Sequence, residues 1–176
     1  PAAYFFARFY TLFNIGLEER FSLFDRVQRY LNDRFFDVLT LFGNPQHLSE
    51  TEIKFELIAL YRKLEKPLEK LVLETLIVSL DFFKLGLSQS KVFDRLKYLR
   101  DLASSFSFSD KVLKAMLADA RELPFPNNFF DFVVSSPPYI NVFNYHQQYR
   151  ASTEALGWNL ISIAQSEIGS NRKFRQ

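Results

Sequence analysis

The chain has no cysteine in its 176 residues, which excludes a disulfide framework and any thiolate metal site. Histidine is nearly absent as well. His47 and His146 are the two in the chain, so a zinc site made by protein alone would have to lean on carboxylates. Glycine is scarce: Gly16, Gly43, Gly86, Gly157 and Gly169 are the five, and none lies within two residues of another. A glycine-rich cofactor loop is therefore missing from this sequence. An excess of one charge is missing too. The formal net charge is +2, too small by itself to argue for nucleic acid. Apolar runs are short, and LIVSL, residues 76–80, is stopped by Asp81 well below the length of a bilayer span. Arg8 interrupts the first apolar stretch, and no small-residue cleavage triplet comes after it. These absences predict a cytoplasmic chain with no membrane contact.

Phenylalanine, by contrast, is overused at 21 residues, within a composition that is 48% apolar and 24% charged. That is a globular composition with a real core, and many of these rings must pack or cover a partner.

Most of the chain reads as helix. The opening PAAYFFARFYTLFNI has proline at a suitable first helical position and is apolar nearly all round, which argues a buried helix. Phe21, Phe24, Val27, Leu31 and Phe35 then recur at helical spacing until Gly43-Asn44-Pro45 breaks the run. Ser49 with Glu52 three residues on is a capping box for a helix whose face is Ile53, Leu57, Leu60, Tyr61 and Leu64. Pro67 opens the next helix, and Gly86 is expected to end it in a left-handed cap. Ser88 or Ser90 starts another, with Val92, Leu96 and Leu99 on its face. Glu65, Glu69 and Glu74 are spaced for pairs on a helix surface.

The character changes at Lys111. VLKAMLA, residues 112–118, is short and apolar and ends at Asp119-Ala120-Arg121. A turn comes next at Leu123-Pro124-Phe125-Pro126-Asn127-Asn128. FFDFVVS, residues 129–135, then reads as a buried strand. It stops at Ser136-Pro137-Pro138-Tyr139. Two consecutive prolines hold the chain extended and remove two donors, so nearby carbonyls lack local partners. The Ser136 hydroxyl adds an acceptor and Tyr139 a flat face. Rigid acceptors beside an aromatic plane suit an exocyclic amine on a stacked base. Residues 145–156 read as helix again, closed by Gly157.

These residues resemble a known family. Ser136-Pro137-Pro138-Tyr139, preceded in order by Asp119-Ala120-Arg121, a Leu-Pro-Phe turn and an apolar run, is similar to the motifs of the S-adenosylmethionine-dependent DNA amino-methyltransferases. The similarity spans about residues 113–150, and Pro1-Ala2-Ala3 resembles the segment at the end of that family's acidic second motif. The resemblance implies a partial α/β, Rossmann-like class I methyltransferase sheet with a large all-α insertion. Residues 1–16 would be a core helix, 17–110 the helical insertion, and 111–176 the core with its catalytic loop. It further implies that Asp119 and Ala120 bind the adenine of S-adenosylmethionine, and that Ser136 and Pro137 accept from the target amine. Pro138 would shape the loop, Tyr139 would stack on a flipped base, and Asn141 would touch the target strand. DNA is the implied substrate, cytosine ahead of adenine and RNA behind both. With the glycine loop and the acidic ribose ligand absent, the chain reads as a fragment expected to bind cofactor poorly.

The helical stretch is expected to clamp DNA or a partner subunit through Arg26, Arg29, Arg34, Arg62, Lys63, Lys66, Arg95, Lys97 and Arg100. The interspersed acids equally suit solvated helix faces. The alternative from a different class is a helical interaction module with a Pro-Pro-Tyr corner that is only structural, or a catalytically inactive methyltransferase relative that binds a partner.

Overall fold

The computed structural model describes residues 2–36, 47–82, 84, 86–119, 122–135 and 149–160. The architecture is built around one helix, α4 (Pro67–Leu80), in which Leu71 to Val78 are buried without interruption. A helix that is apolar on every side needs neighbours on every side. Here they are α1 (Ala2–Phe9), α2 (Leu17–Phe36), α3 (Glu50–Lys63), α5 (Gln89–Ser104) and a short α6 (Arg150–Ala155). Their inward faces make one hydrophobic core. Phe5 and Phe9 enter from α1, Leu23, Phe24, Val27, Leu31 and Phe35 from α2, Ile53, Leu57 and Leu60 from α3, and Val92, Leu96 and Leu99 from α5.

Local chemistry sets the helix ends. Pro67 stands in the first turn of α4, where its missing N–H costs nothing. Ser49 caps α3 with the full reciprocal box: its backbone N–H donates to Glu52 Oε2 at 2.7 Å, and its hydroxyl accepts from Glu52 N–H at 3.3 Å. The bonds from Ser49, side chain first and backbone second, hold the Glu52 carboxyl below its ordinary range. Replacing Ser49 with Ala is expected to lower stability by about 1 kcal/mol, read as a shift of the urea midpoint at unchanged slope. A shift too small to measure would show that the box is redundant with α3 packing. Ser88 caps α5 by accepting from Lys91 N–H.

Two helix ends differ from expectation. The first fifteen residues do not form one helix. After Phe9 the chain tightens into a 3-10 turn, Tyr10–Asn14, which brings Leu12 into the core and stacks Phe13 on Phe106 with centroids 4.2 Å apart. The C-cap of α4 is Asp81, in the left-handed region at φ 50°, and Gly86, at φ 80°, lies beyond the helix. Asp81 is one of the few residues besides glycine that tolerate this conformation.

The expected α/β architecture is not found. Among the described residues there is no strand and no sheet, and β-type pairing is limited to the single bridge between Asp119 and Glu122. Both runs with strand character, 112–118 and 129–135, are in no regular structure. They are also almost wholly exposed: Val112 is 91%, Phe132 82% and Val134 83% accessible. The reason is physical. A strand is stable only when its N–H and C=O groups pair and its faces are covered, and here the apolar surface able to cover them is committed to the helical core. No helix among the described residues is long and apolar enough to cross a membrane.

Candidate functional site

The segment beyond α5 leaves the bundle at a defined clasp. Asn14 Nδ2 donates to the carbonyls of Ser109 at 2.7 Å and Lys111 at 2.5 Å, Leu113 N–H donates to Asn14 Oδ1 at 3.3 Å, and Ser109 N–H donates to the Phe13 carbonyl at 2.9 Å. From there the chain runs exposed to Asp119. The Asp119 carbonyl accepts from Glu122 N–H at 3.1 Å, and Asp119 is exposed. The expected turn after Leu123 is present. Phe125 N–H bonds the Leu123 carbonyl at 2.8 Å, and Asn128 is left-handed at φ 62°. Phe125, Phe129 and Phe130 gather into a small aromatic cluster with centroids 4.7 to 5.1 Å apart.

Asp119 is thus the one sequence-predicted site residue that the structure places. Ala120, Ser136, Pro137, Pro138, Tyr139 and Asn141 lie outside the described residues. A nucleoside cofactor needs a concave, largely apolar site with a few convergent polar groups. Two grooves among the described residues lie elsewhere, one beside Gly86 and Tyr98 and the other between Phe24 and Phe93. The described residues gather no group of three or more metal-ligating side chains.

Several of the basic residues of the bundle are engaged in ion pairs. Arg26 reaches Glu69 at 2.6 Å, Arg34 reaches Glu56 at 3.2 Å and Arg100 reaches Asp25 at 2.9 Å, while Lys66 lies 3.5 Å from Glu69. Four of the nine basic residues singled out from the sequence therefore hold helices together or neutralise helix surface. Arg95 lies over the exposed Tyr98 ring at 5.4 Å.

Sequence reasoning missed the buried charges. The spacing of Glu69 and Glu74 predicts helix-surface positions, yet both are buried, at 1% and 2% accessible. Glu74 accepts a hydrogen bond from Arg8 of α1 in an ion pair between helices. Burial raises its carboxyl above the ordinary range, and the attraction and hydrogen bond of Arg8 only partly oppose this. The Tyr61 hydroxyl is raised as well, first by burial and then by the Glu74 charge. Lys70 Nζ stands 4.6 Å from the Tyr61 ring centre. Arg20, 2% accessible, donates from Nε to the Ile15 carbonyl at 2.8 Å and from Nη1 to the carbonyls of Ala103 at 2.5 Å and Phe106 at 2.7 Å. A signal existed for the glutamates, since both stand in the apolar run of α4, but spacing alone favoured the surface. Comparison with family models, with curated proteins and with solved structures finds no match for this chain.

Proposed function

We propose that this chain takes part in methyl transfer to an exocyclic amine of DNA, cytosine ahead of adenine, with Ser136-Pro137-Pro138-Tyr139 as the amine-recognising segment. S-adenosylmethionine is the methyl donor that the resemblance implies. The observation that carries the reading is the ordered run Asp119-Ala120-Arg121, Leu-Pro-Phe, apolar segment, Ser-Pro-Pro-Tyr within residues 119–139. The Ser136 hydroxyl and Pro137 carbonyl are acceptors beside two prolines that supply no N–H, a chemistry suited to orient an amine by its two N–H bonds. Tyr139 offers a stacking face for an extruded base. The Asp119 carboxylate is an exposed acceptor on the same segment.

The test is transfer of labelled methyl to mixed-sequence DNA by the polypeptide that carries this chain. Ser136→Ala is expected to lower turnover about 10- to 100-fold, and Tyr139→Ala to weaken DNA binding about tenfold. Helical circular dichroism should be unchanged in both. Absence of label on DNA from a protein with intact helices would overturn the reading.

One observation favours a second reading. The helices close a core of their own, from Phe5 to Leu156, without any contribution from the described residues of 111–135. A bundle that buries its own apolar faces suits an interaction module whose corner is structural. That reading expects no transfer, and no effect of either substitution on partner binding.

A further inference from the structure

The groove beside Gly86 carries chemistry that neither functional reading uses. It has a volume of about 460 Å³ and lies between α5 and the chain that leaves α4. On α5 it is lined by Lys91, Asp94, Arg95 and Tyr98, whose spacing puts them on one face of the helix. Across from them stand Lys84 and the half-buried Leu80 and Leu87. Three cations thus line the groove against one carboxylate, in a chain whose net charge is only +2. Lys84 is the least available of the three, since its ammonium lies 3.6 Å from the buried Asp81 carboxylate. Lys91 and Arg95 are exposed and enter no ion pair among the described residues. Lys91 is also held in place. Its Nζ donates to the Gly86 carbonyl at 2.5 Å, which leaves two of its three N–H groups for a ligand. The Arg95 guanidinium lies 5.4 Å from the centre of the Tyr98 ring, and that residue is 56% accessible. A line of open donors therefore ends at an exposed flat face.

We infer that this groove binds single-stranded nucleic acid, with phosphates on Lys91 and Arg95 and a base stacked on Tyr98. Cations that follow a groove, beside an aromatic ring open to solvent, hold a strand without reading its sequence. Asp94 stands between the two cations on the same stripe. Its carboxylate can accept from the exocyclic amine of a base, but it repels the side chains of an acidic peptide. Such a peptide would also leave the Tyr98 ring unused. A duplex keeps its bases stacked inside and offers the ring none to stack. None of these residues belongs to the segment 119–139, so the site does not depend on methyl transfer.

The test is fluorescence anisotropy of a labelled mixed-sequence DNA strand of about 12 nucleotides, titrated with the polypeptide that carries this chain at several salt concentrations. Lys91→Ala and Arg95→Ala are each expected to weaken binding about threefold at low salt. Each should also reduce the slope of log affinity against log salt by about 0.7. Tyr98→Ala should weaken binding about tenfold and leave that slope unchanged, because stacking releases no counterions. All three side chains belong to exposed residues, so the helical circular dichroism should match the parent in every variant. Loss of fold would lower affinity in all three without separating slope from affinity. No binding of the strand at low salt would overturn the inference. So would equal affinity for the same sequence as a duplex, competition by an acidic peptide as effective as by unlabelled strand, or a Tyr98→Ala variant that binds like the parent.

Discussion

Replacing Arg20 with Ala should lower stability by about 4 kcal/mol, from three charge-assisted hydrogen bonds of about 1.5–3 kcal/mol each less the desolvation of the guanidinium. Arg20 is the link between three pieces of chain. From α2 it donates to the Ile15 carbonyl, at the end of the 3-10 turn, and to the Ala103 and Phe106 carbonyls, at the end of α5. Those last two carbonyls lie where a helix has run out of its own donors. The Ala variant takes a charged donor from each beside the stacked rings of Phe13 and Phe106, and leaves Ala103 only backbone donors such as Phe106 N–H at 3.3 Å. Arg20→Lys should recover less than half of the loss, because one ammonium cannot reproduce the planar fork that spans three acceptors. Thermal unfolding followed by circular dichroism should show the Ala variant melting about 10 °C lower. A melting point within two or three degrees of the parent would mean that water replaces the guanidinium, and that Arg20 is not what fixes the end of α5.

Arg8→Met should cost about 3 kcal/mol at neutral pH, the lower end for breaking a buried pair, because the Arg8 side chain keeps 31% of its surface in water. The loss arises at Glu74, which is left ionised in a buried place without its partner. The pH dependence identifies that cause. Burial holds the Glu74 carboxyl above its unfolded value. Its contribution to stability is therefore full below the unfolded pKa and is lost as pH rises through the folded one. Removing Arg8 removes the two largest opposing influences, leaves the weaker one of the Lys70 charge, and raises the carboxyl further. The deficit of the variant should be largest at neutral pH and shrink through the acid range, where Glu74 is protonated in both proteins. Adding Glu74→Leu should return most of the loss, since an apolar pair of similar volume is often neutral. Urea midpoints of the parent, single and double variants across pH test this. A deficit independent of pH, or a double variant no better than the single, would assign the effect to lost packing of α1 instead.

The helical frame was legible because its signals are local. Ser49 with Glu52 and Pro67 each act on backbone groups within one turn, so their types alone place the starts of α3 and α4, and narrow the start of α5 to Ser88 or Ser90, of which Ser88 is the cap. The 3.6-residue spacing of Val27, Leu31 and Phe35 likewise needs no knowledge of what they pack against. The chemical order of Asp119 and Ser136-Pro137-Pro138-Tyr139 was also visible as sequence, although of these residues only Asp119 has a described position.

Where local signals end, sequence reasoning fails. FFDFVVS has every intrinsic preference of a strand, but a strand exists only through its neighbours' hydrogen bonds, and the described chain offers it none. Glu69 and Glu74 have the spacing of surface residues, but α4 is surrounded, so their charges are met by Arg26 and Arg8 from other helices. The sequence by itself determined where α3 and α4 start and which faces of the main helices are apolar, because these depend on interactions a few residues long. Only the tertiary structure decided which helix stands at the centre, which charges are buried and which apolar run goes uncovered. Those outcomes depend on which surfaces meet, and contacts such as Arg8 to Glu74, 66 residues apart, are set by the assembled core rather than by either segment alone.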